Sequence, residues 1–354
     1  VGEHNIKITN KILFVCPENK IAIGGEKQIY RMAEVLAESG YQSFVLHENK
    51  GFKLNWFDSK ACCLYSKSFF YLLRISQSSK IRSKFKIKLK FILNLFKDKI
   101  AKNVMINEND ILVFPEIYLG FINSLQLKNK IVIFNQNCYY TFLTLNNTNY
   151  KINNHIANIT VSNDSQDYLN LFYNEVKNYR IRLGINSNIF SLNGNKKKQI
   201  CYMPRKLNED VIQVINLLKI RNVCKDWEFI PIDNMCENEV AETMKTSSIF
   251  LSFNYKEGFG LPPVEAMSCG CIIVGYSGNG GNEYFNSPYT YKIEDRNIKE
   301  FVLKVEDVVS NIDNQTFDMN KLSKEISNNI IETYNLNIEK EDIINVWKNI
   351  FKSI

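Results

Sequence analysis

The apolar positions of this chain change period again and again. Ile12, Leu13, Phe14, Val15 and Cys16 make a short continuous run, which predicts a buried strand over 11–16. A loop ending in Gly24 and Gly25 follows. Ile29, Met32, Ala33, Leu36 and Ala37 then recur at helical spacing and predict a helix over 26–39. Gly40 stands where a left-handed helix end costs least, and 41–47 reads as a second strand, completing a β-α-β unit. Further strand-like runs at 111–114, 130–134 and 156–161 continue the alternation, so the first half predicts a Rossmann-like domain.

The apolar pattern stops at 191–199, where Asn193, Gly194, Asn195, Lys196, Lys197 and Lys198 read as a linker. That places a domain boundary after 192. A second α/β series follows: strand 200–203, helix 210–220, strand 227–232, helix 237–245 and strand 248–253. Beyond Glu283 the chain is mainly helical and ends in an apolar face of Ile343, Ile344, Trp347, Ile350 and Phe351, so a helix over about 335–354 is expected to pack back on the first domain. A length of 354 residues fits two domains at about 150 residues each.

The stretch 80–102 holds nine basic residues against one acid, Asp98. Phe85, Leu89, Ile92 and Phe96 recur at i, i+4, i+7 and i+11, so a helix here carries an apolar stripe flanked by lysines. Two readings stay open: the stripe packs on its own domain, or it lies on an anionic membrane surface. Strict alternation over 84–91 leaves even the helix open.

Composition adds exclusions. Hydrophobic residues are 45% and charged residues 23%, which sets aside collagen-like, coiled-coil and wholly disordered chains. A net charge of +7 favours anionic partners without naming one. Nine cysteines without a Cys-x-x-Cys pair fit a reducing compartment rather than a zinc site. No apolar run reaches the roughly 18 residues that span a bilayer, and 1–10 lack the apolar core of a secretory signal, so a cytoplasmic location is expected. His4, His47 and His155 have no metal-site or triad-like neighbours, no Gly-x-Ser-x-Gly elbow occurs, and no nucleic-acid-binding module is present.

The stretch richest in chemistry is 257–270. Glu257, Gly258, Phe259, Gly260 and Leu261 follow a predicted strand, Pro262 and Pro263 suit a first helical turn, and Gly270 can close a short helix. Unpaired amides and the helix dipole favour an anion such as a diphosphate at such a place. Glu265 is expected in the first turn, where it either accepts hydrogen bonds from vicinal hydroxyls or merely complements the dipole. Glu257 alone reads as a solvated loop acid.

Taken together, Glu257 and Glu265 resemble the glutamate, seven residues, glutamate signature of retaining GT-B glycosyltransferases, family 4 in particular. Gly280, Gly281, Asn282 and Glu283 are similar to that family's later Gly-rich loop and acid. Residues 271–274 resemble the strand between, and Gly24 and Gly25 the N-terminal glycine loop. Residues 159–162 and 183–190 resemble its last N-domain strand and its domain-crossing segment. The resemblance implies an α/β GT-B fold of two Rossmann-like domains facing a central cleft: an acceptor-side domain, 1–192, and a nucleotide-sugar donor domain, 193–334. It implies that a sugar moves, with retention, from a nucleotide-diphosphate donor to a saccharide or glycolipid acceptor in cell-surface polysaccharide assembly, without a metal or other cofactor.

By the same resemblance Glu257 contacts the donor sugar, while Arg205 and Lys206 stabilise the leaving diphosphate. The planar fork of Arg205 matches phosphate oxygens better. Donor contacts fall to Gly24, Gly25, Ile232, Asp233, Gly258, Phe259, Gly260, Leu261 and Glu265, with Glu265 on the ribose and Ile232 and Asp233 at the base. Two departures stand out. The family's second Lys, several residues beyond the Arg, is absent, so Lys206 takes its place. Where relatives present a His, this chain has Asn135 and Asn137, which either bond sugar hydroxyls or cap a loop. An epimerase or hydrolase of nucleotide sugars on the same fold, or a sugar-binding subunit without activity, are the alternatives.

Overall fold

The computed structural model describes residues 10–19, 24–54, 56–76, 84–143, 151–194 and 196–354, with 84–86 as backbone only. His4, Asn195, residues 80–83 and the side chain of Phe85 lie outside that description. The chain forms two compact units. One takes the described residues up to Thr160, then Gln166–Arg180 and Asp342–Ile354; the other takes Val161–Ser165 and Ile181–Glu341.

The first unit holds strands β1 (Ile12–Val15), β2 (Ser43–His47), β3 (Cys63–Tyr65), β4 (Ile111–Pro115), β5 (Lys130–Asn135), β6 (His155–Thr160) and β7 (Lys177–Arg180). They form one parallel sheet in the order β3-β2-β1-β4-β5-β6-β7, so the order reverses between β1 and β4. Its helices are α1 (Gly24–Glu38), α2 (Lys67–Ser76), α3 (Lys84–Ile100), the single turn α4 (Cys138–Thr141) and most of α5 (Asn163–Phe172).

The second unit holds β8 (Lys197–Tyr202), β9 (Glu228–Pro231), β10 (Ser247–Glu257), β11 (Ile272–Asn279) and β12 (Thr290–Lys292). This parallel sheet runs β12-β11-β10-β8-β9 and reverses between β8 and β10. With it go α6 (Asn208–Arg221), α7 (Glu237–Thr246), α8 (Leu261–Ser268), α9 (Ile298–Asp313), α10 (Met319–Thr333) and the start of α11 (Leu336–Lys352).

Alternate residues of β1 leave by opposite faces, which is why both faces of the first sheet are covered. Leu13 and Val15 join Leu112, Phe114, Phe69, Phe70 and Leu73 in one core. Phe14 instead meets Trp347 of α11, ring centroids 6.1 Å apart, and Trp347 is wholly buried. Phe351 stacks on Tyr41 at 5.3 Å. In the second unit Phe253, Tyr276 and Phe301 pack ring to ring at 4.9–6.1 Å between the sheet and α9.

The elements depart from the patterning in definite places. The edge strands β3 and β12 have three residues each, too few to show alternation. Strand β8 starts at Lys197, inside the expected linker, because Lys197 and Lys198 face solvent and disguise it. The units change over after Arg180, upstream of 192, because Ile181, Leu183, Ile185 and Phe190 are buried in the second unit. Ile185 N donates to Tyr334 O at 2.9 Å, and Ser268 Oγ to Phe190 O at 2.7 Å.

Helix α3 does form, and its stripe does not pack inward. Phe96 is 61% exposed and Ile100 82%, with Leu89, Ile92 and Leu93 also exposed. The inward side is set by Asp98, wholly buried, which accepts the amides of Lys67 and Ser68 at 2.9 Å each and so caps α2.

Candidate functional site

Parallel sheets take ligands at the carboxyl ends of their strands, in the crevice where strand order reverses. In the second unit that crevice lies between β8 and β10. Past the end of β8 come Arg205 and Lys206, and the last residue of β10 is Glu257. The structure brings Lys206 and Glu257 into an ion pair, with the Lys206 side chain 56% exposed and that of Glu257 14%. Burial, with the Arg205 charge beside it, pushes Lys206 down to about 8. The carboxylate contact acts in the opposite sense, and since about 8 still lies above neutrality, Lys206 is charged at pH 7. Arg205 is exposed.

Backbone irregularity aims Glu257. The β10–β11 register slips between Asn254 and Glu257, and Lys256 takes φ +50°, a left-handed value unusual for a non-glycine residue. The chain then turns into α8 through Gly260, whose φ is +84°. Pro262 and Pro263 are the second and third residues of α8 and carry no N–H. Of the first four amide positions at this helix start, only Gly260 and Leu261 therefore offer a donor.

The loop is clasped from behind. Tyr284 Oη lies 2.7 Å from Phe259 O and 2.9 Å from Gly260 O, and burial pushes its pKa well up, which keeps the hydroxyl a donor. The Phe259 ring is buried against Tyr284 at 5.4 Å and Tyr334 at 5.3 Å, so this side chain holds the loop. A Cβ on Gly280 would come 2.1 Å from Gly258 O, which ties the two Gly-rich turns backbone to backbone. Glu283 accepts Asn163 N at 2.9 Å and Tyr334 Oη at 2.8 Å, acting as a brace.

Glu265 is the fifth residue of α8, past the first turn rather than in it, because the helix starts at Leu261; its side chain is half-buried. Simple dipole complementation therefore loses force for it. Ile232 is buried and donates its N–H to Tyr202 O at 2.7 Å, and the exposed Asp233 follows it beyond the end of β9.

In the first unit, Gly24 and Gly25 open α1 and Asn135 closes β5. Asn137 caps α4 by accepting Tyr139 N at 3.1 Å. Asn135 Nδ2 donates to Thr141 Oγ1 at 2.6 Å. Two acids that patterning does not single out stand at the same carboxyl end of the sheet: Glu26, on the first turn of α1, and Glu116, directly after β4. Their signal in the sequence is only an acid after a glycine pair and an acid after a strand. Burial pushes each of them up to about 7. Among the described residues no group of three His, Cys, Asp or Glu is placed to hold a metal ion.

Comparison with known proteins fits this geometry. The structure superposes on the sucrose-phosphate synthase of Thermosynechococcus elongatus with a TM-score of 0.66 at 12% identity, covering 98% of this chain and 100% of that one. The fold is GT-B. A point mutant of S. aureus TarM, in complex with fondaparinux, alpha-GlcNAc-glycerol and UDP, gives 0.64 at 13% identity over 97% of this chain and 100% of that one. Anabaena Alr3699/HepE, in complex with UDP and glucose, gives 0.60 at 11% over 96% and 100%. Within this GT-B chain, residues 208–332 match the family described as glycosyl transferases group 1. A curated relative, an alpha-1,6-glucosyltransferase of Actinobacillus pleuropneumoniae serotype 7, is 28% identical over 132 residues. That match spans 35% of this chain and 38% of the relative.

Proposed function

We propose that this GT-B chain is a retaining glycosyltransferase, moving a sugar from a nucleotide-diphosphate donor to a saccharide or glycolipid acceptor in cell-surface polysaccharide assembly. The observation that carries the reading is the Lys206–Glu257 ion pair at the strand-order reversal, beside the glycine-capped start of α8. The group 1 match over 208–332 and the glucosyltransferase relative support it.

In this reading the backbone from Gly258 to Leu261 meets the donor diphosphate, Glu265 takes the ribose hydroxyls, and Ile232 and Asp233 border the base. Gly24 and Gly25 offer amides to a phosphate. A diphosphate carries more negative charge than one carboxylate, so Lys206 exchanges Glu257 for it on binding. That frees Glu257 for the hydroxyls of the donor sugar. The bond from the anomeric carbon to the diphosphate oxygen then breaks, its electron pair leaving with the diphosphate, where Arg205 and Lys206 stabilise the developing charge. The acceptor hydroxyl, with Asn135 and Asn137 of the acceptor-side unit as its sugar contacts, attacks the same face and passes its proton to a leaving-group phosphate oxygen. No protein nucleophile and no metal enters the scheme.

The test is a thermal-shift screen with UDP, GDP, dTDP, CMP and their common sugars. UDP comes first, since two of the similar structures contain it. A ligand at 100 times its Kd stabilises the folded state by about 2.7 kcal/mol. One nucleotide is expected to raise Tm and its sugar to yield a glycosylated product of unchanged anomeric configuration; a Tm indifferent to all of them refutes the reading.

The same proposal sets the protein peripherally on the inner, cytoplasmic face of a membrane. Leu89, Leu93, Phe96 and Ile100 recur at helical spacing on the exposed side of α3, with exposed Lys88, Lys90, Lys97 and Lys99 beside them. That arrangement complements an anionic lipid surface. No helix of the described residues is long and apolar enough to cross a membrane.

A further inference from the structure

The crevice where the first sheet reverses, between the carboxyl ends of β1 and β4, is flanked by two acids that the scheme above does not use. Glu26 is 3% exposed and Glu116 4%. Glu26 Oε1 accepts from Asn19 Nδ2, while Glu26 Oε2 is buried with no hydrogen-bond partner among the described residues. Glu116 Oε2 takes the amide of Gln136 at 3.0 Å. The Gln136 side chain in turn lies against α1, since a Cβ on Gly25 would come 3.1 Å from its Oε1. Asn135, the neighbour of Gln136, is wholly buried; its Nδ2 is committed to Thr141, and its Oδ1 has no partner among the described residues.

Two orphaned acceptor oxygens, on Glu26 and Asn135, thus belong to segments at the carboxyl end of one sheet that are joined through the Gly25–Gln136 contact and the Gln136–Glu116 bond. An unpaired buried polar atom costs folding free energy, which a ligand offering O–H donors recovers. Among the described residues no three His, Cys, Asp or Glu side chains gather here as a metal ion would need, so O–H donors are the partners these oxygens fit. Burial pushes both acids up to about 7, so near neutrality each also exists as a neutral carboxyl able to donate as well as accept.

We propose that Glu26, Asn135 and Glu116 form a saccharide site that grips neighbouring hydroxyls of the acceptor sugar, with Glu26 and Asn135 deciding which sugar is taken. The inference rests on the transferase reading and adds the residues that choose the acceptor. It is tested with the full chain by saturation-transfer NMR, using methyl α-glycosides of glucose, galactose, mannose and N-acetylglucosamine as probes, with the UDP thermal shift measured alongside. The wild type is expected to bind at least one glycoside. Glu26→Met is expected to weaken that binding at least tenfold, leave the UDP shift in place, and hold or raise Tm, because a buried orphan oxygen is replaced by apolar volume. Unchanged binding together with a lower Tm is the mark of a structural acid and overturns the proposal. So does a wild type that binds UDP and none of the four glycosides. A wild type that UDP does not shift counts instead against the transferase reading. Should the Met variant not fold, Glu26→Gln keeps the shape and changes the donor pattern: an altered preference among the four glycosides is expected, and an unaltered one overturns the assignment.

Discussion

Gly260→Ala tests whether the turn before α8 is built as described. Gly260 sits at φ +84°, where an L side chain costs about 1–2 kcal/mol. The added Cβ would also lie 2.4 Å from Asn254 Nδ2 and 2.8 Å from Tyr284 Oη. Neither neighbour yields freely: Asn254 is buried, and Tyr284 is fastened to the carbonyls of Phe259 and Gly260. Forcing such an overlap costs roughly a further 1–3 kcal/mol. Gly194, in the same unit, has φ +58° with nothing within 4 Å of its would-be Cβ, so Gly194→Ala carries the backbone cost alone. Urea unfolding of the two variants beside the wild type should show Gly260→Ala the less stable by about 1–3 kcal/mol. The UDP-induced rise in Tm should vanish in Gly260→Ala and survive in Gly194→Ala. Equal stabilities, with the UDP response intact in both, would refute the clasped-loop account.

Glu257→Ala and Arg205→Ala should each lower turnover by about 10²-fold or more in a product-forming assay, and near-normal rates in either would remove that residue from the scheme. Replacing Phe96 and Ile100 together by Ser should abolish binding to anionic vesicles, and raised salt should weaken it in the wild type; equal partitioning to neutral and anionic vesicles would remove the membrane role. In the first unit, burial raises Glu26 and Glu116 from 4.5 to about 7 and lowers His47 and His155 from 6.5 to about 4. Between pH 4.5 and 6.5 the two acids keep protons that the unfolded chain has lost, while the two histidines lack protons that it holds, so the opposing slopes nearly cancel. Glu26→Gln should unbalance them, and stability should then rise with pH by about 1.4 kcal/mol per unit across that window. A pH profile unchanged from the wild type would show that Glu26 is not a buried acid.

What could be read ahead of the structure follows from how local each signal is. The glutamate segment is legible because strand end, glycine turn, prolines and acid all fall within 257–265, where their spacing alone implies a strand, a turn and a helix start. Strands β1, β4 and β5 are legible because buried parallel strands are continuous apolar runs. The start of strand β8 is not, because Lys197 and Lys198 lengthen the expected 200–203 run with a polar end. The outward stripe of α3 could not be told from an inward one, since periodicity finds a face and not its partner. Asp98, buried as the cap of α2, turns that helix and exposes Phe96 and Ile100.

Locality also separates the two switch points, of which one could be found in the sequence and the other could not. In the second unit an acid with a recognisable local setting, Glu257, points to the end of β10, and the basic pair after β8 has only to be matched to it. In the first unit neither acid has such a setting. Glu26 reads as an ordinary helix-start acid, and Glu116 as a residue of a short turn. Only the strand order β2-β1-β4-β5 sets the loop after β1 beside those after β4 and β5, and only burial strips Glu26 Oε2 and Asn135 Oδ1 of water. Orphaned polar atoms are a property of the closed fold, invisible to spacing or periodicity, and they persist against a cost of about 1–3 kcal/mol each. A chain selected for stability alone would fill those positions with apolar side chains. Their presence at the carboxyl ends of the strands, where parallel sheets take ligands, is the reason for assigning them a partner, and a rise in Tm on replacing Glu26 by Met would measure what their presence costs.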